Sequence, residues 1–267
     1  MKNLLIIATL AVVTASPSLL AAVYSSASLS NIKYKVVDLN LTDGVEASVD
    51  FYYTYSQNYG FTRDNFNDLG YYQYSTTNDL TSITLSDSLN TSSASIQYSD
   101  SYANKFEVSG SSLGTSGGDY SYFYSSSADF NYYTLSPNTR LEFTADSNLF
   151  VETTSSEDIF EYGVAINYFK ANDYVTNDEY NYSDNLHYTQ IISKNIGPQV
   201  INESKSLSFF IENLSLQESN GFTTNYSEAY GQTNISPSTV PVPAALPLMA
   251  SALGMFGAAR RNKAKKA

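Results

Sequence analysis

Arg140-Leu141-Glu142-Phe143-Thr144-Ala145 alternates without a break: Leu141, Phe143 and Ala145 share one face, and Arg140, Glu142 and Thr144 the other. A period of two is the mark of a strand with one dry face and one wet face. Working outward, Leu207, Phe209 and Ile211 repeat the pattern against Ser206, Ser208 and Glu212. Phe160, Tyr162, Val164, Ile166 and Tyr168 form a longer stripe, expected to face the core, and Val45, Ala47, Val49, Phe51 and Tyr53 form another. No stretch between the two ends of the chain carries helical spacing. Strands are expected near 32–39, 45–55, 80–85, 94–98, 104–109, 127–135, 139–145, 158–170, 186–192 and 206–214. Asp43-Gly44, Ser136-Pro137-Asn138, Gly197-Pro198 and Asn220-Gly221 read as turns between them. The glycine- and serine-rich stretch 109–118 reads as a flexible loop. Short strands with turn-rich joints predict an all-β fold, an antiparallel, jelly-roll-like β-sandwich.

The two ends differ from this middle. Met1-Lys2-Asn3 is a short positive stretch, Leu4 to Val13 is apolar, and small residues follow, with Ala21 and Ala22 as the cleavage edge. That order is a secretory signal peptide, read by Sec export machinery. Cleavage after Ala27 is a second option. At the other end the prolines Pro241 and Pro243 favour extended chain. A 16-residue apolar run, Ala244 to Ala259, follows them. As a helix it would be about 24 Å long, short for a hydrocarbon core of about 30 Å. Arg260, Arg261, Lys263, Lys265 and Lys266 close the chain as a basic stop on the cytoplasmic side. The expected organisation is a signal helix at 1–22, a sandwich at 23–239, and a tail with a short transmembrane helix at 240–267.

The tail resembles the PEP-CTERM sorting signal of Gram-negative bacteria, in its Val-Pro-x-Pro-Ala form: Val240, Pro241, Val242, Pro243 and Ala244. The family has Glu between the two prolines, where this chain has Val242. Tyr133-Thr134-Leu135-Ser136-Pro137-Asn138-Thr139-Arg140-Leu141-Glu142-Phe143 resembles a strand–turn–strand phrase of exported PEP-CTERM proteins. The resemblance implies export, a brief hold in the inner membrane, and cleavage by an exosortase-type enzyme. It also implies a cell-surface or extracellular protein in an exopolysaccharide or biofilm setting, structural or adhesive rather than enzymatic. A lectin-like carbohydrate-binding module is the alternative, and a secreted hydrolase the third reading.

Composition narrows the chemistry of the middle. The chain carries 14 basic and 26 acidic residues, no cysteine, no tryptophan and 24 tyrosines. Six of the basic residues lie in the tails, so the processed body holds eight against 26, a net charge near −18. Such a surface repels nucleic acid. Without cysteine there is neither a disulfide nor a thiolate metal site.

Candidate sites are few. Gly110-Ser111-Ser112-Leu113-Gly114 matches Gly-x-Ser-x-Gly, and Asp173, Asp178 or Asp184 with His187 would complete a triad in the right order. The flanking residues lack the strand-then-helix context that presents such a serine. His187 is the one histidine, expected with Thr189 on a solvent-facing strand surface, and a lone histidine makes no zinc site. Glu142 and Glu152, expected on neighbouring strands, are a carboxylate pair of the kind glycosidases use. No cofactor is expected. Calcium is the one ion with oxygen ligands on offer, from Asp64, Asn65, Asn67 and Asp68 or from Asp173, Asn177, Asp178, Glu179 and Asp184. The tyrosine clusters Phe51-Tyr52-Tyr53 with Tyr55, and Tyr71-Tyr72 with Tyr74, offer outward rings that stack on sugars.

Overall fold

The computed structural model describes residues 22–63, 68–75, 82–87, 89–99, 102–114, 120–154, 159–175, 179–194 and 197–235. The expected signal helix and the whole C-terminal tail fall outside these residues, except Ala22. Within them every regular element is a strand, twelve in all: β1 Ala22–Asp38, β2 Val49–Arg63, β3 Asp68–Ser75, β4 Ser82–Ser86, β5 Asn90–Ser99, β6 Tyr102–Leu113, β7 Tyr120–Leu135, β8 Thr139–Thr153, β9 Ile159–Val175, β10 Glu179–Lys194, β11 Gln199–Asn213 and β12 Ser219–Ile235. They form two six-stranded antiparallel sheets, ordered β11-β8-β1-β6-β5-β4 and β10-β9-β12-β7-β2-β3. Residues before and after 115–119 contribute to both sheets, so the two halves of the chain interleave in one β-sandwich.

The turn chemistry that ends these strands is local. Gly44 takes φ +74° and Gly197 φ +84°, while Asn138 takes φ 50°; glycine and asparagine tolerate this left-handed region best. Asp43 Oδ1 accepts the Val45 amide at 2.9 Å, an Asx turn. Leu39–Ser48, Ser136–Asn138 and Leu214–Glu218 meet at one pole. There Asn138 Nδ2 donates to Asp43 Oδ2 at 2.7 Å, and Asn213 Nδ2 donates to the carbonyls of Leu135, Ser136 and Gln217. Ala22 pairs with Leu113, and Asn234 with Tyr120, so β1 begins and β12 ends together at the opposite pole.

The first sheet faces inward with the expected stripes. Leu141, Phe143, Ala145, Leu207, Phe209 and Ile211 are buried, and Arg140 and Glu142 lie together on its outer surface with an N–O distance of 3.5 Å. The second sheet reverses the expectation. On β9 the inward residues are Glu161, Gly163, Ala165, Asn167, Phe169 and Ala171, and the stripe of Phe160, Tyr162, Ile166 and Tyr168 lies on the outer face. On β2 the register shifts between Phe51 and Tyr53, and past the bulge Ser56, Asn58, Gly60 and Thr62 turn inward while Tyr55, Tyr59 and Phe61 turn outward. The expected continuous stripe from Val45 to Tyr53 is broken there.

Small inward residues on the second sheet leave room for large ones on the first, the interdigitation that fills a core without voids. Two apolar clusters result. One gathers Leu29, Phe106, Tyr133, Leu141, Phe143, Phe169 and Phe209; the other gathers Val23, Val108, Phe123, Leu149, Val151 and Ile191. Around them, hydroxyls and amides bond from sheet to sheet. Asn167 Nδ2 donates to Ser28 O and Ser147 Oγ, each at 2.7 Å, and Ser227 Oγ donates to Asn167 Oδ1 at 2.6 Å. Ser25 Oγ donates to Tyr230 O, and Ser125 Oγ to Ser109 O, each at 2.9 Å. A serine-rich sequence can thus be a core sequence, because buried hydroxyls such as those of Ser25, Ser125 and Ser227 meet partners.

Three other expectations change. The stretch 109–113 is strand, not loop, and Gly110 is required there because a Cβ would stand 2.1 Å from the Phe123 ring. Asn220-Gly221 lies inside β12 rather than in a turn, and at Gly221 a Cβ would meet Asn172 O at 2.3 Å. β3 and β12 were not anticipated. β12 alternates Phe222, Tyr226 and Tyr230 with Gly, Thr, Asn and Ser rather than aliphatics with charges, and β3 carries tyrosines on both parities, so neither shows the usual contrast.

Candidate functional site

The outer face of the second sheet is where the chain places its rings. On β7, Tyr120, Tyr122, Tyr124, Phe130 and Tyr132 point outward, because Ser121, Phe123, Ser125, Asp129, Asn131 and Tyr133 take the inward positions. Neighbouring strands add Tyr55, Tyr59 and Phe61 from β2, Phe222, Tyr226 and Tyr230 from β12, and Tyr162 from β9. Rings in a row make one another's walls. Phe61 stacks on Tyr122 with centroids 5.5 Å apart, Tyr122 lies 6.0 Å from Tyr230, and Tyr230 lies 5.6 Å from Tyr162, so one line of contact crosses four strands. Nearer the looped pole, Tyr52 contacts Tyr132 and Tyr132 contacts Phe222. Each ring is half-buried by its neighbours and half open to water. Tyr52 at 56 % and Tyr71 at 49 % are the most exposed of the described tyrosines on β2 and β3. The side chains of Tyr53, Tyr72 and Tyr74 lie outside the described residues.

The row is interrupted where β7 carries Ser126 in place of a ring. A shallow trough of about 550 Å³ opens there, walled by Tyr59, Phe61, Tyr122, Tyr124 and Tyr230, with Ser126 and Gln57 as polar members. Its phenols are organised. Tyr124 Oη lies 2.8 Å from Tyr226 Oη and donates to Glu228 Oε2 at 3.1 Å, and Tyr226 Oη also donates to Glu228. Tyr230 Oη donates to Gln232 Oε1 at 2.7 Å. Burial raises the pKa of Tyr124 and Tyr226, and pushes Tyr230 up to about 12. All three stay protonated as hydrogen-bond donors at neutral pH. Arg63 lies over the Tyr120 ring at 5.5 Å and pairs with Asp68 at 3.0 Å. The chemistry on offer is stacking plus directed hydrogen bonds, suited to a flat apolar ring face rimmed by hydroxyls.

The other candidates separate. Ser112 is fully buried on β6, 2.6 Å from Ser121 Oγ and 3.1 Å from Thr233 Oγ1. Gly-x-Ser-x-Gly is therefore a strand packed against Phe123, not an elbow presenting a nucleophile. Glu142 and Glu152 lie on the same strand, β8, rather than on neighbours. Ten residues at about 3.3 Å set their backbones about 33 Å apart, against the roughly 5–10 Å between paired glycosidase carboxylates. On β10, Thr189 is buried and Tyr188 exposed, opposite to the expected facing. The side chains of His187, Asp173, Glu179 and Asp184, and all of Asp64, Asn65, Asn67, Asn177 and Asp178, lie outside the described residues. Asp68, the described member of the first acidic loop, is the partner of Arg63.

No protein-family model and no curated protein matches the chain. Among solved structures, the CBM22-1–CBM22-2 tandem domain of Paenibacillus barcinonensis Xyn10C is 10 % identical, with coverage of 80 % of this chain and 78 % of that one, at a TM-score of 0.14. The TmCBM61 module in complex with β-1,4-galactotriose is 10 % identical, with coverage of 36 % and 67 %, at a TM-score of 0.09. Neither likeness carries weight for the ligand of this chain. The outward turn of the tyrosines left no signal in the sequence: in Tyr122-Phe123-Tyr124-Ser125-Ser126-Ser127-Ala128-Asp129-Phe130 the one charged residue, Asp129, sits on the parity opposite to Tyr122 and Tyr124 and argues for the reverse facing. Normal expectation puts an aspartate outside, and here it is buried.

Proposed function

We propose that this chain is an exported, non-enzymatic surface or matrix protein, a jelly-roll-like sandwich that holds neutral polysaccharide against the tyrosine face of its second sheet. One observation carries the reading: on four adjacent strands most of the large rings point out, and apart from Phe123, Tyr133 and Phe169 the inward positions are taken chiefly by small or polar residues. Water-exposed rings are costly unless they meet a ligand, and a contiguous exposed aromatic surface marks a binding face. Pyranose faces satisfy both halves of that surface, their C–H side on the rings and their hydroxyls on the phenols, Gln57 and Glu228. Stacking requires no cofactor. Among the described residues the cations over these rings are Arg63, which Asp68 pairs, and Lys170 over Phe222; two separated cations, one of them neutralised, favour neutral over anionic chains.

Export belongs to the same proposal and rests on the ends of the sequence. Sec-dependent secretion with removal of the signal peptide at Ala21 or Ala22 precedes a transient hold in the inner membrane. An exosortase-type enzyme reads Val240 to Ala244, and Arg260 to Lys266 remain on the cytoplasmic side. Both ends of the described body leave from one pole, so a tether there would leave the tyrosine face free.

Affinity electrophoresis in gels cast with soluble neutral polysaccharides (dextran, galactomannan, xyloglucan, mixed-linkage β-glucan) tests the reading. The protein should be retarded by at least one of them, with retardation surviving 0.5 M salt (about three times physiological ionic strength). Tyr122→Ala with Phe61→Ala should weaken that face about tenfold or more, the loss of one to two stacking contacts. No retardation in any gel, or full retardation of a tyrosine-face variant in every gel, would overturn the reading of this face.

A further inference from the structure

The outer face of the first sheet holds a second cleft, on the opposite side of the molecule from the tyrosine row. It has a volume of about 370 Å³ and runs across β5, β6, β1, β8 and β11. Five strands at about 4.8 Å spacing give it a length of about 19 Å across the sheet. Its lining differs from that of the tyrosine face. Apart from the rings of Tyr24 and Phe150, set edge to face with centroids 5.5 Å apart, it is built mostly from serine hydroxyls and asparagine amides on successive strands.

The lining is specific about what it would take. Its one charged member is Glu107, which Lys105 Nζ neutralises at 2.7 Å. Among the described residues no cation belongs to the lining, and the adjacent Lys105 is taken up by Glu107, so an anionic chain finds no free counter-charge. Too few apolar groups line it for a lipid tail or an amphipathic helix. What it offers is an array of hydroxyl and amide groups at the strand repeat, with Tyr24, 39 % exposed, at one side for a ring face. Asn148 is already oriented: its Oδ1 accepts from Ser204 at 2.7 Å. A neutral, polyhydroxylated, extended ligand matches all three properties, namely length, neutrality and repeated hydrogen bonding.

We propose that this cleft is a second glycan-binding site, and that the protein cross-links neutral polysaccharide chains, one on each outer face. The two sheets stand about 10 Å apart with side chains on both outer surfaces, so one straight chain cannot reach both faces. Binding at the two sites therefore joins separate chains. The cross-linking rests on polysaccharide binding by the tyrosine face; the cleft itself does not.

The experiment uses the processed protein with the same panel of soluble neutral polysaccharides, read by gel retardation and by low-shear viscosity of the mixture. Three variants are compared: Tyr122→Ala with Phe61→Ala for the tyrosine face, Tyr24→Ala for the cleft, and Ser26→Leu, which fills the middle of the cleft while leaving the core untouched. Circular dichroism and unfolding midpoint show that each is folded. Wild type should raise viscosity, each single-face variant should be retarded less than wild type and raise no viscosity, and combining the two faces should abolish retardation, a loss of at least tenfold in affinity. If both cleft variants behave as wild type in viscosity and retardation, the cleft proposal is overturned while the tyrosine face stands. If the tyrosine-face variant behaves as wild type and the cleft variants lose retardation, the cleft stands, and the tyrosine-face reading and the cross-linking both fall. A wild type that no gel retards overturns both sites.

Discussion

Asp129 lies between the sheets, with Oδ1 accepting from Ser56 Oγ at 2.6 Å and Oδ2 from Asn131 Nδ2 at 2.5 Å. Burial pushes its carboxyl up to about 6, against the pull of those two hydrogen bonds. The folded chain thus keeps this proton at pH values where the unfolded chain, with an ordinary carboxylate near 4, has released it. The linked stability is present below about pH 4 and is lost as pH rises through 6, by up to about 3 kcal/mol at about 1.4 kcal/mol per unit. Asp129→Asn cannot titrate. Its advantage over wild type, measured by urea unfolding, should therefore grow from near zero at pH 4 to about 1–3 kcal/mol at pH 7; an advantage that does not change with pH refutes the buried charge. Gly110 makes a purely steric demand. In Gly110→Ala the new methyl would collide with the Phe123 ring and with Thr91 O at 2.5 Å. A backbone carbonyl in a paired strand cannot retreat, so a loss of about 2–4 kcal/mol is expected in the same assay. Neither residue announces this in the sequence: the aspartate reads as surface and the glycine as loop, because burial depends on what another strand brings.

β7 is the element on which the second sheet turns. It is paired by β12 on one side and β2 on the other, so its facing fixes theirs. Its inward serines make the contacts that an apolar strand would make by packing. Ser125 reaches Ser109 O at 2.9 Å and Ser92 Oγ at 2.8 Å across the sheet interface. Ser125→Val should cost about 1–3 kcal/mol, because it removes two buried hydrogen bonds across the interface and takes from Ser109 O its side-chain donor, while Ser92 Oγ keeps only Tyr124 O at 2.7 Å. Ser112→Ala should cost about 1 kcal/mol or less, because Ser121 and Thr233 still hold each other at 3.0 Å. Denaturant midpoints at constant slope measure both, and a larger cost for Ser112→Ala than for Ser125→Val would contradict this account of the interface. The alternation of β8 and β11 was legible because charge opposes hydrocarbon there. That of β7, β9 and β12 was legible as strand but not as facing, because tyrosine and serine each tolerate either side.

Over the whole molecule, β1 is the strand on which the proposed export bears most directly. It lies between β8 and β6 in the first sheet, and Val23, Ser25 and Ala27 are buried within it. A cut after Ala27 would remove strand pairs to both neighbours, so if the chain is exported as proposed, the mature protein should begin at Ala22 or Val23. Intact mass checks this together with loss of Arg260 to Ala267; a body beginning at Ser28 would contradict the placement of β1. The sequence by itself determined that the body is built of strands, that Asp43-Gly44, Pro137-Asn138 and Gly197 bend the chain, and that Leu141, Phe143, Leu207 and Phe209 face inward. Only the tertiary structure decided which face of the second sheet is dry. Alternation fixes that a strand has two unlike faces, whereas the inward one is chosen by what fits opposite it: large Val, Leu and Phe side chains on the first sheet leave space for Ser, Gly, Ala and Asn, and the tyrosines are left to pack on one another in the open.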